Sequence, residues 1–245
     1  MTPVQPIFLV LLVALVAPTE RLVPERPGVL VEFHAVVQDV PCEGTPKLNA
    51  SRHIVKCRLA ADHRIGMHLF WRGTELDFSG NGVLSHAALA RETAFYGLSI
   101  PAGSDVFFDP EGGVRHFWLR APAVMQGYRL RAKRKGLGHM VYPNGQFRAV
   151  WLATATEIDG IRCASSLPFG FGGWHAITLG AQAMAWFYPD GRLQQGMLAH
   201  EATIGGRAFK RGDVVSLHHD GTLDLTAPKL GDGVIWPEDA HGRGS

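Results

Sequence analysis

The sequence is poor in charge, poor in cysteine and poor in long apolar runs. Asp, Glu, Lys and Arg make up 19% of its 245 residues, below the quarter usual in soluble domains. Its 24 Lys and Arg stand against 22 Asp and Glu. So even a balance excludes a globally basic chain, and nucleic acid is not an expected partner. The longest apolar run, Ile7–Ala17, has eleven residues, whereas a membrane-spanning helix needs about 20. Motifs that mark a catalytic centre are missing too. There is no Gly-x-Ser-x-Gly elbow, and Gly170-Phe171-Gly172-Gly173 is not followed by the Lys-Ser/Thr of a phosphate-binding loop. Twelve histidines are scattered without a His-x-x-x-His pair beside an acid. His218-His219-Asp220 is the most ligand-like group, but it falls on a turn position of the repeat described below. The sequence therefore predicts no catalytic residue, no metal ligand set and no cofactor.

What is abundant is glycine, 29 residues, and it recurs with a period. Taking Gly82, Gly112, Gly145 and Gly191 as position zero, seven residues on is always Leu: Leu89, Leu119, Leu152, Leu198. Fifteen on is a second glycine: Gly97, Gly127, Gly160, Gly206. Four before the first glycine stand Phe78, Phe108, Val141 and Phe187, then Leu217 ahead of Gly221. The spacings from Gly82 to Gly221 are 30, 33, 46 and 30 residues, so one unit carries an insertion of 16. A partial unit with Leu59, Gly66, Gly73, Leu76 and Phe78 precedes these, one residue out of register.

Within a unit the apolar residues alternate, as in Val106/Phe108 and Val215/Leu217, which is strand periodicity. Pro143-Asn144-Gly145, Pro189-Asp190-Gly191 and Asp220-Gly221 then supply turn chemistry: proline sets φ, Asn and Asp tolerate the left-handed region, and glycine adopts positive φ freely. Strand, tight turn, strand is a hairpin. One hairpin cannot bury its apolar face alone, whereas stacked hairpins share a core. The pattern predicts an all-β fold, an elongated repeat array of β-hairpins with about 30 residues per unit and four to five units. It assigns 1–17 to a signal peptide or N-terminal apolar anchor, 18–35 to a linker or first strand, 36–225 to the β-repeat domain and 226–245 to a C-terminal cap and tail.

Val141-Tyr142-Pro143-Asn144-Gly145-Gln146-Phe147 and Phe187-Tyr188-Pro189-Asp190-Gly191-Arg192-Leu193 resemble the Tyr-Pro-Asn-Gly-Lys-Leu core of bacterial MORN-type repeats. That resemblance implies a β-hairpin repeat, a bacterial source and a binding or assembly role without catalysis. It carries over no functional residue.

The apolar run at Ile7–Ala17 matches the central region of a secretory signal peptide, although Met1–Pro6 holds no Lys or Arg. Export would place the protein in the periplasm, at the cell surface or outside the cell. In an oxidising compartment Cys42 and Cys57 can pair across a hairpin and staple the N-terminal end. Free thiols, or pairing with Cys163, are the alternatives. Cys163 sits in the apolar slot held by Ile100, Leu130 and Phe209 and reads as a buried, inert thiol.

Two departures from the repeat carry the functional expectations. From Gly112 to Thr156 there is no acid, while Arg115, Arg120, Arg129, Arg131, Lys133, Arg134, Lys135 and Arg148 add eight positive charges. Arg129, Arg131, Lys133 and Lys135 alternate with an inward Leu130 along a strand, with Arg134 beside them. This segment predicts a partner that is an anionic glycan or lipid headgroup, with another envelope protein as the alternative. The insertion offers Phe169, Phe171, Trp174 and His175 among glycines, a set of flat rings suited to a sugar. The expected function is an exported, non-enzymatic binding or scaffold module of the cell envelope. The alternative is an exported enzyme acting on envelope carbohydrate, with its site in the Phe169–His175 insertion.

Overall fold

The computed structural model describes residues 34–37, 39–132, 137–165 and 183–226. The chain divides into Met1–Val31 and Glu32–Ser245; the first part, with the apolar run, lies outside the described residues, as does the tail from 227. The described residues form 23 strands and no α-helix, so the all-β reading holds.

Two kinds of hairpin alternate along the chain. A short one, β1 (His34–Val37) and β2 (Val40–Glu43), is followed by a main one, β3 (Lys47–Leu48) and β4 (Ile54–Arg58). The alternation continues with short β5 (His63–Ile65)/β6 (His68–Phe70), main β7 (Glu75–Phe78)/β8 (Leu84–Ala88), short β9 (Thr93–Phe95)/β10 (Leu98–Ile100) and main β11 (Asp105–Phe108)/β12 (Val114–Trp118). Next come short β13 (Ala123–Met125)/β14 (Tyr128–Leu130), main β15 (Met140–Val141)/β16 (Phe147–Val150) and short β17 (Thr156–Ile158)/β18 (Ile161–Cys163). Main β19 (Ala185–Phe187)/β20 (Leu193–Met197), short β21 (Ala202–Ile204)/β22 (Arg207–Phe209) and β23 (Val214–Ser216) complete the order. The main hairpins pair antiparallel into two sheets, β12-β11-β8-β7-β4-β3 and β15-β16-β19-β20-β23. Phe117 and His139 exchange backbone bonds of 2.8 Å each way and carry the ladder from one sheet to the other.

The turns explain the glycine period. Each main turn repeats one pattern: the amide of Gly82, Gly112, Gly145, Gly191 or Gly221 donates to the carbonyl three residues before it, and beside the first four the strands slip register. The glycine φ values run from 83° to 89°. This is a type I turn closed by a left-handed residue, which suits Pro at its second position and produces a bulge. Four of the short hairpins instead have two-residue turns with positive φ at both central positions: Tyr96/Gly97 (52°, 80°), Gln126/Gly127 (48°, 81°), Asp159/Gly160 (48°, 77°) and Gly205/Gly206 (55°, 77°). That is the primed geometry, whose twist matches the strands it joins.

The same pattern extends one turn earlier than the glycines show. Asn49 accepts from the amide of Arg52, which takes the left-handed place with φ 63°. Counted from Arg52, Leu59 is again seven residues on, so the partial unit is in register after all, with a non-glycine turn residue. Six main turns are present among the described residues.

Turns are tied to their neighbours. The Tyr142 hydroxyl donates to Phe187 O (3.0 Å), that of Tyr188 to Leu217 O (2.9 Å), and Asn144 Nδ2 to Pro189 O (2.7 Å). The Tyr-Pro-Asn-Gly motif therefore makes both a turn and a clamp on the next hairpin. Under the main hairpins the inward residues of the short ones complete one core, with Phe70, Phe95, Phe117, Phe147 and Phe187 nearly or fully buried. Each such ring contributes roughly 1.5–3 kcal/mol relative to exposure.

Cys42 and Cys57 are joined in a disulfide and are 0% and 3% exposed. The bond links β2 to β4, two different hairpins, rather than crossing one. Cys42 fills the slot that Leu130 and Cys163 fill in later repeats: it faces Leu59 as they face Leu152 and Leu198, the Leu at position seven each time. Cys163 is free, and burial pushes its thiol up to about 12, with Asp159 adding to the shift. Non-reducing digestion and mass spectrometry of the protein should recover the Cys42–Cys57 peptide pair, with Cys163 slow to alkylate before unfolding. Reduction should lower stability by about 2–3 kcal/mol, the scale set by closing a loop of 15 residues. Recovery of Cys42 and Cys57 as two alkylated thiols would contradict this assignment.

Candidate functional site

Each strand of the main sheets turns alternate residues to a second face, away from the shared core. Following one row of cross-strand partners over that face shows a change of chemistry. In the first sheet the row reads Lys47, Lys56, Asp77, His86, Phe107, His116. In the second it reads Met140, Ala149, Trp186, Gln195, Ser216. The row passes from charged to aromatic in the first sheet and carries no charged residue in the second. In the second sheet this face is covered: Leu137, Met140, Ala149, Trp151, Ala183, Met184, Trp186 and Met197 form a separate buried cluster. The long insertion leaves the described chain beyond Ala164, which packs on this cluster, and re-enters it at Ala183.

In the first sheet the face is open, and a cavity of about 780 Å³ lies over β7, β8, β11 and β12. His86 is its centre. Its Nδ1 lies 2.9 Å from Asp77 Oδ2 on one side and its Nε2 3.0 Å from Asp105 Oδ1 on the other. Burial by itself lowers the imidazole, but the hydrogen bonds and charges of Asp105 and Asp77 outweigh it and raise its pKa. Both ring nitrogens are thus engaged by carboxylate oxygens, and His86 is held between two acids that favour its protonated form. Lys56 Nζ extends the chain, 3.6 Å from Asp77 Oδ1 and 3.8 Å from Glu75 Oε2.

Beside this clasp stands an aromatic wall. The ring of Phe107 stacks on His116 (4.5 Å between centroids, planes 15° apart) and meets His86 on its other side at a tilt (4.8 Å, 36°). Trp118, one row over, meets Phe107 at 4.5 Å and 60°. His116 is fully buried, and burial followed by the charges of Arg115 and His86 lowers its pKa to about 3. It stays neutral and serves the wall as a flat ring. Arg115 and Asp109 complete the charged lining.

Of the residues singled out in the sequence, Phe169, Phe171, Trp174, His175, Lys133, Arg134 and Lys135 lie outside the described residues. Arg129 and Arg131 are both exposed, on either side of buried Leu130. The cross-strand partner of Arg129 is Val124, 71% exposed, where the equivalent Arg162 faces Glu157. The other described arginines of the acid-free segment are spread out. Arg115 lines the groove, Arg120 lies against the turn at Gly103, and the Arg148 guanidinium stands 6.0 Å from the Tyr142 ring. His218 to Gly221 is the last main turn, where His219 pairs with Asp190 at 2.8 Å.

Asp77, His86, Asp105, Phe107 and Trp118 were not distinguished by sequence reasoning. A signal was available: five residues before the turn glycine the outward slot holds Asp77, then Phe107, Met140 and Trp186, and large rings in a nominally polar slot mark a face with something to cover. Comparison with family models, with curated proteins and with solved structures finds no match to this chain.

Proposed function

We infer that the protein is an exported, non-enzymatic binding module of the bacterial cell envelope, an elongated array of hairpin repeats that acts in the periplasm, at the cell surface or outside the cell. The observation that supports binding over catalysis is the His86 clasp. A general base needs a free lone pair and a general acid needs a proton it can release. Here both imidazole nitrogens are occupied by carboxylates, and each carboxylate commits one oxygen to the ring. Such a group orients and holds. The Tyr-Pro-Asn-Gly turns, used as clamps between repeats, support a scaffold in keeping with the MORN-type resemblance. The Cys42–Cys57 bond is in keeping with an oxidising compartment.

The partner of the basic segment is an anionic glycan or lipid headgroup, reached through Arg129 and Arg131 on the exposed side of β14 and the chain just after it, with Lys133, Arg134 and Lys135 following in the sequence. Retention on immobilised heparin over a salt gradient tests this. Wild type should bind at low salt and elute well before 1 M, because the screening length falls from about 10 Å at 0.1 M to about 3 Å at 1 M. A variant with Arg129, Arg131, Lys133 and Lys135 changed to Ser should elute earlier. Equal elution of the two proteins, or passage of both without retention, would remove the anionic partner from this reading.

A further inference from the structure

We propose that the groove over β7, β8, β11 and β12 seats a neutral pyranose unit of a glycan chain. This rests on the reading of the protein as a binding module and adds the ligand class of a second site, apart from the Arg129–Lys135 cluster.

The argument is one of matched chemistry. A pyranose presents an apolar C–H face and a rim of hydroxyls, each both donor and acceptor. A site for it needs an aromatic plane and fixed polar groups at its edge. Trp118 supplies the plane: it is half-buried, and its ring is propped at 60° against Phe107, which is itself stacked on His116 and touched at a tilt by His86. Asp77 and Asp105 supply acceptors. Each commits one oxygen to His86, which fixes the carboxylate's direction; Asp105 keeps Oδ2 for a ligand hydroxyl. Carboxylates already ordered lose little freedom on binding, and hydrogen bonds to them are among the stronger ones. Asn81 and Ser79 stand on the rim at the β7–β8 turn.

Charge selects against the partner of the basic segment. Asp77, Asp105 and Asp109 face His86 and Arg115 here, so the lining is close to balanced and on the acidic side. An anion is disfavoured, and His86, set between the two acids that raise its pKa, weakens the concentrated negative field that would draw a cation. A polar neutral ring fits what remains. The volume of about 780 Å³ lies within the roughly 300–1,000 Å³ of small-molecule sites, and the groove is open rather than enclosed, as a chain passing through requires.

Calorimetric titration of the full-length protein with cellohexaose, maltohexaose and chitohexaose tests this, with glucose and N-acetylglucosamine as single-ring arms. At least one hexasaccharide should bind with a submillimolar Kd, and its single ring at least tenfold more weakly. Asp105→Asn, which keeps shape and removes the charge, and Trp118→Ala should each weaken binding tenfold or more. Heparin retention should be unchanged in both variants. If Trp118→Ala fails to fold, Asp105→Asn carries the test. No heat from any hexasaccharide at millimolar concentration overturns the proposal, as does binding untouched by Asp105→Asn. A single ring binding as tightly as its hexamer overturns the assignment to a glycan chain and points to a free sugar. Loss of heparin retention in the Arg/Lys→Ser variant bears only on the basic segment and leaves this site standing.

Discussion

Gly145→Ala should destabilise the protein by about 2–4 kcal/mol, while Gly160→Ala at a matching left-handed position should cost only about 1 kcal/mol. Both residues have positive φ, 83° and 77°, where a Cβ crowds the following carbonyl whatever surrounds it. They differ in what a new methyl would meet. At Gly160 nothing stands within 4 Å of the place a Cβ would take, whereas at Gly145 the methyl would be driven into the carbonyl oxygen of Tyr96. Tyr96 cannot move aside cheaply. It is the first residue of a primed turn with φ 52°, and its hydroxyl accepts from the Val114 amide at 3.1 Å. Gly145 itself receives a bond at its carbonyl from Gln126 Nε2 (2.7 Å). Two short hairpins and one main turn thus meet at Gly145, and strain there is shared by three repeats. Urea unfolding at fixed pH, read as a change of midpoint at constant slope, measures both variants. Equal losses would mean that the crossing at Gly145 relaxes and that only its φ matters.

This contrast also shows how much of the fold was legible beforehand. The repeat was readable because one backbone conformation recurs and only glycine takes it without strain, so Gly82, Gly112, Gly145, Gly191 and Gly221 marked their turns in the sequence. The first main turn was hidden because Arg52 occupies that conformation, held by the bond between its amide and Asn49. The first residues of the primed turns, Tyr96, Gln126 and Asp159, were equally opaque. Nothing in their type signals positive φ. They are tolerated there because their side chains bond to the next main hairpin: Tyr96 to Val114, Gln126 to Gly145, Asp159 to Leu193 (2.7 Å). Those are contacts between repeats, invisible to any reading of one repeat at a time.

The groove was missed for a related reason. Alternation shows which residues face away from the core, but not which of them come to lie side by side. Asp77, His86 and Asp105 are separated by nine and nineteen residues in sequence, and only the register β7–β8–β11 brings them into one row and its neighbour. The Cys42–Cys57 pairing was open in the sequence among several choices. The structure adds that Cys42 stands in a recurring core slot, which is why its partner lies on the adjoining hairpin and not across its own turn.

Stability should fall as pH drops below 6.5, and His116→Phe should abolish much of that fall. His116 is fully buried, stacked on Phe107 at 4.5 Å, and its pKa is lowered to about 3 by burial, then by Arg115 and His86. In the unfolded chain it titrates near 6.5. Between those two values the unfolded state binds a proton that the folded state refuses, so stability rises with pH across this window and is lost as pH falls through it. By pH 4 the expected loss is about 3 kcal/mol, taking 1.36 kcal/mol for each unit below 6.5. His68, whose pKa burial also lowers, adds to the same limb. His86 works in the other direction. Its pKa is raised by the two carboxylates, so its contribution is whole below 6.5 and declines as pH climbs above that value through the raised pKa. The stability profile should therefore peak near 6.5, with a steep acid side set mainly by His116 and a shallower alkaline side set by the clasp. Phenylalanine keeps a flat ring in the stack beside Phe107 and cannot take a proton. Urea midpoints from pH 4 to pH 8, with the disulfide intact, should show the acid side flattened in His116→Phe and the alkaline side unchanged. An acid limb as steep in the variant as in wild type would show that His116 accepts its proton without unfolding the wall, and that the carboxylates alone set the acid response.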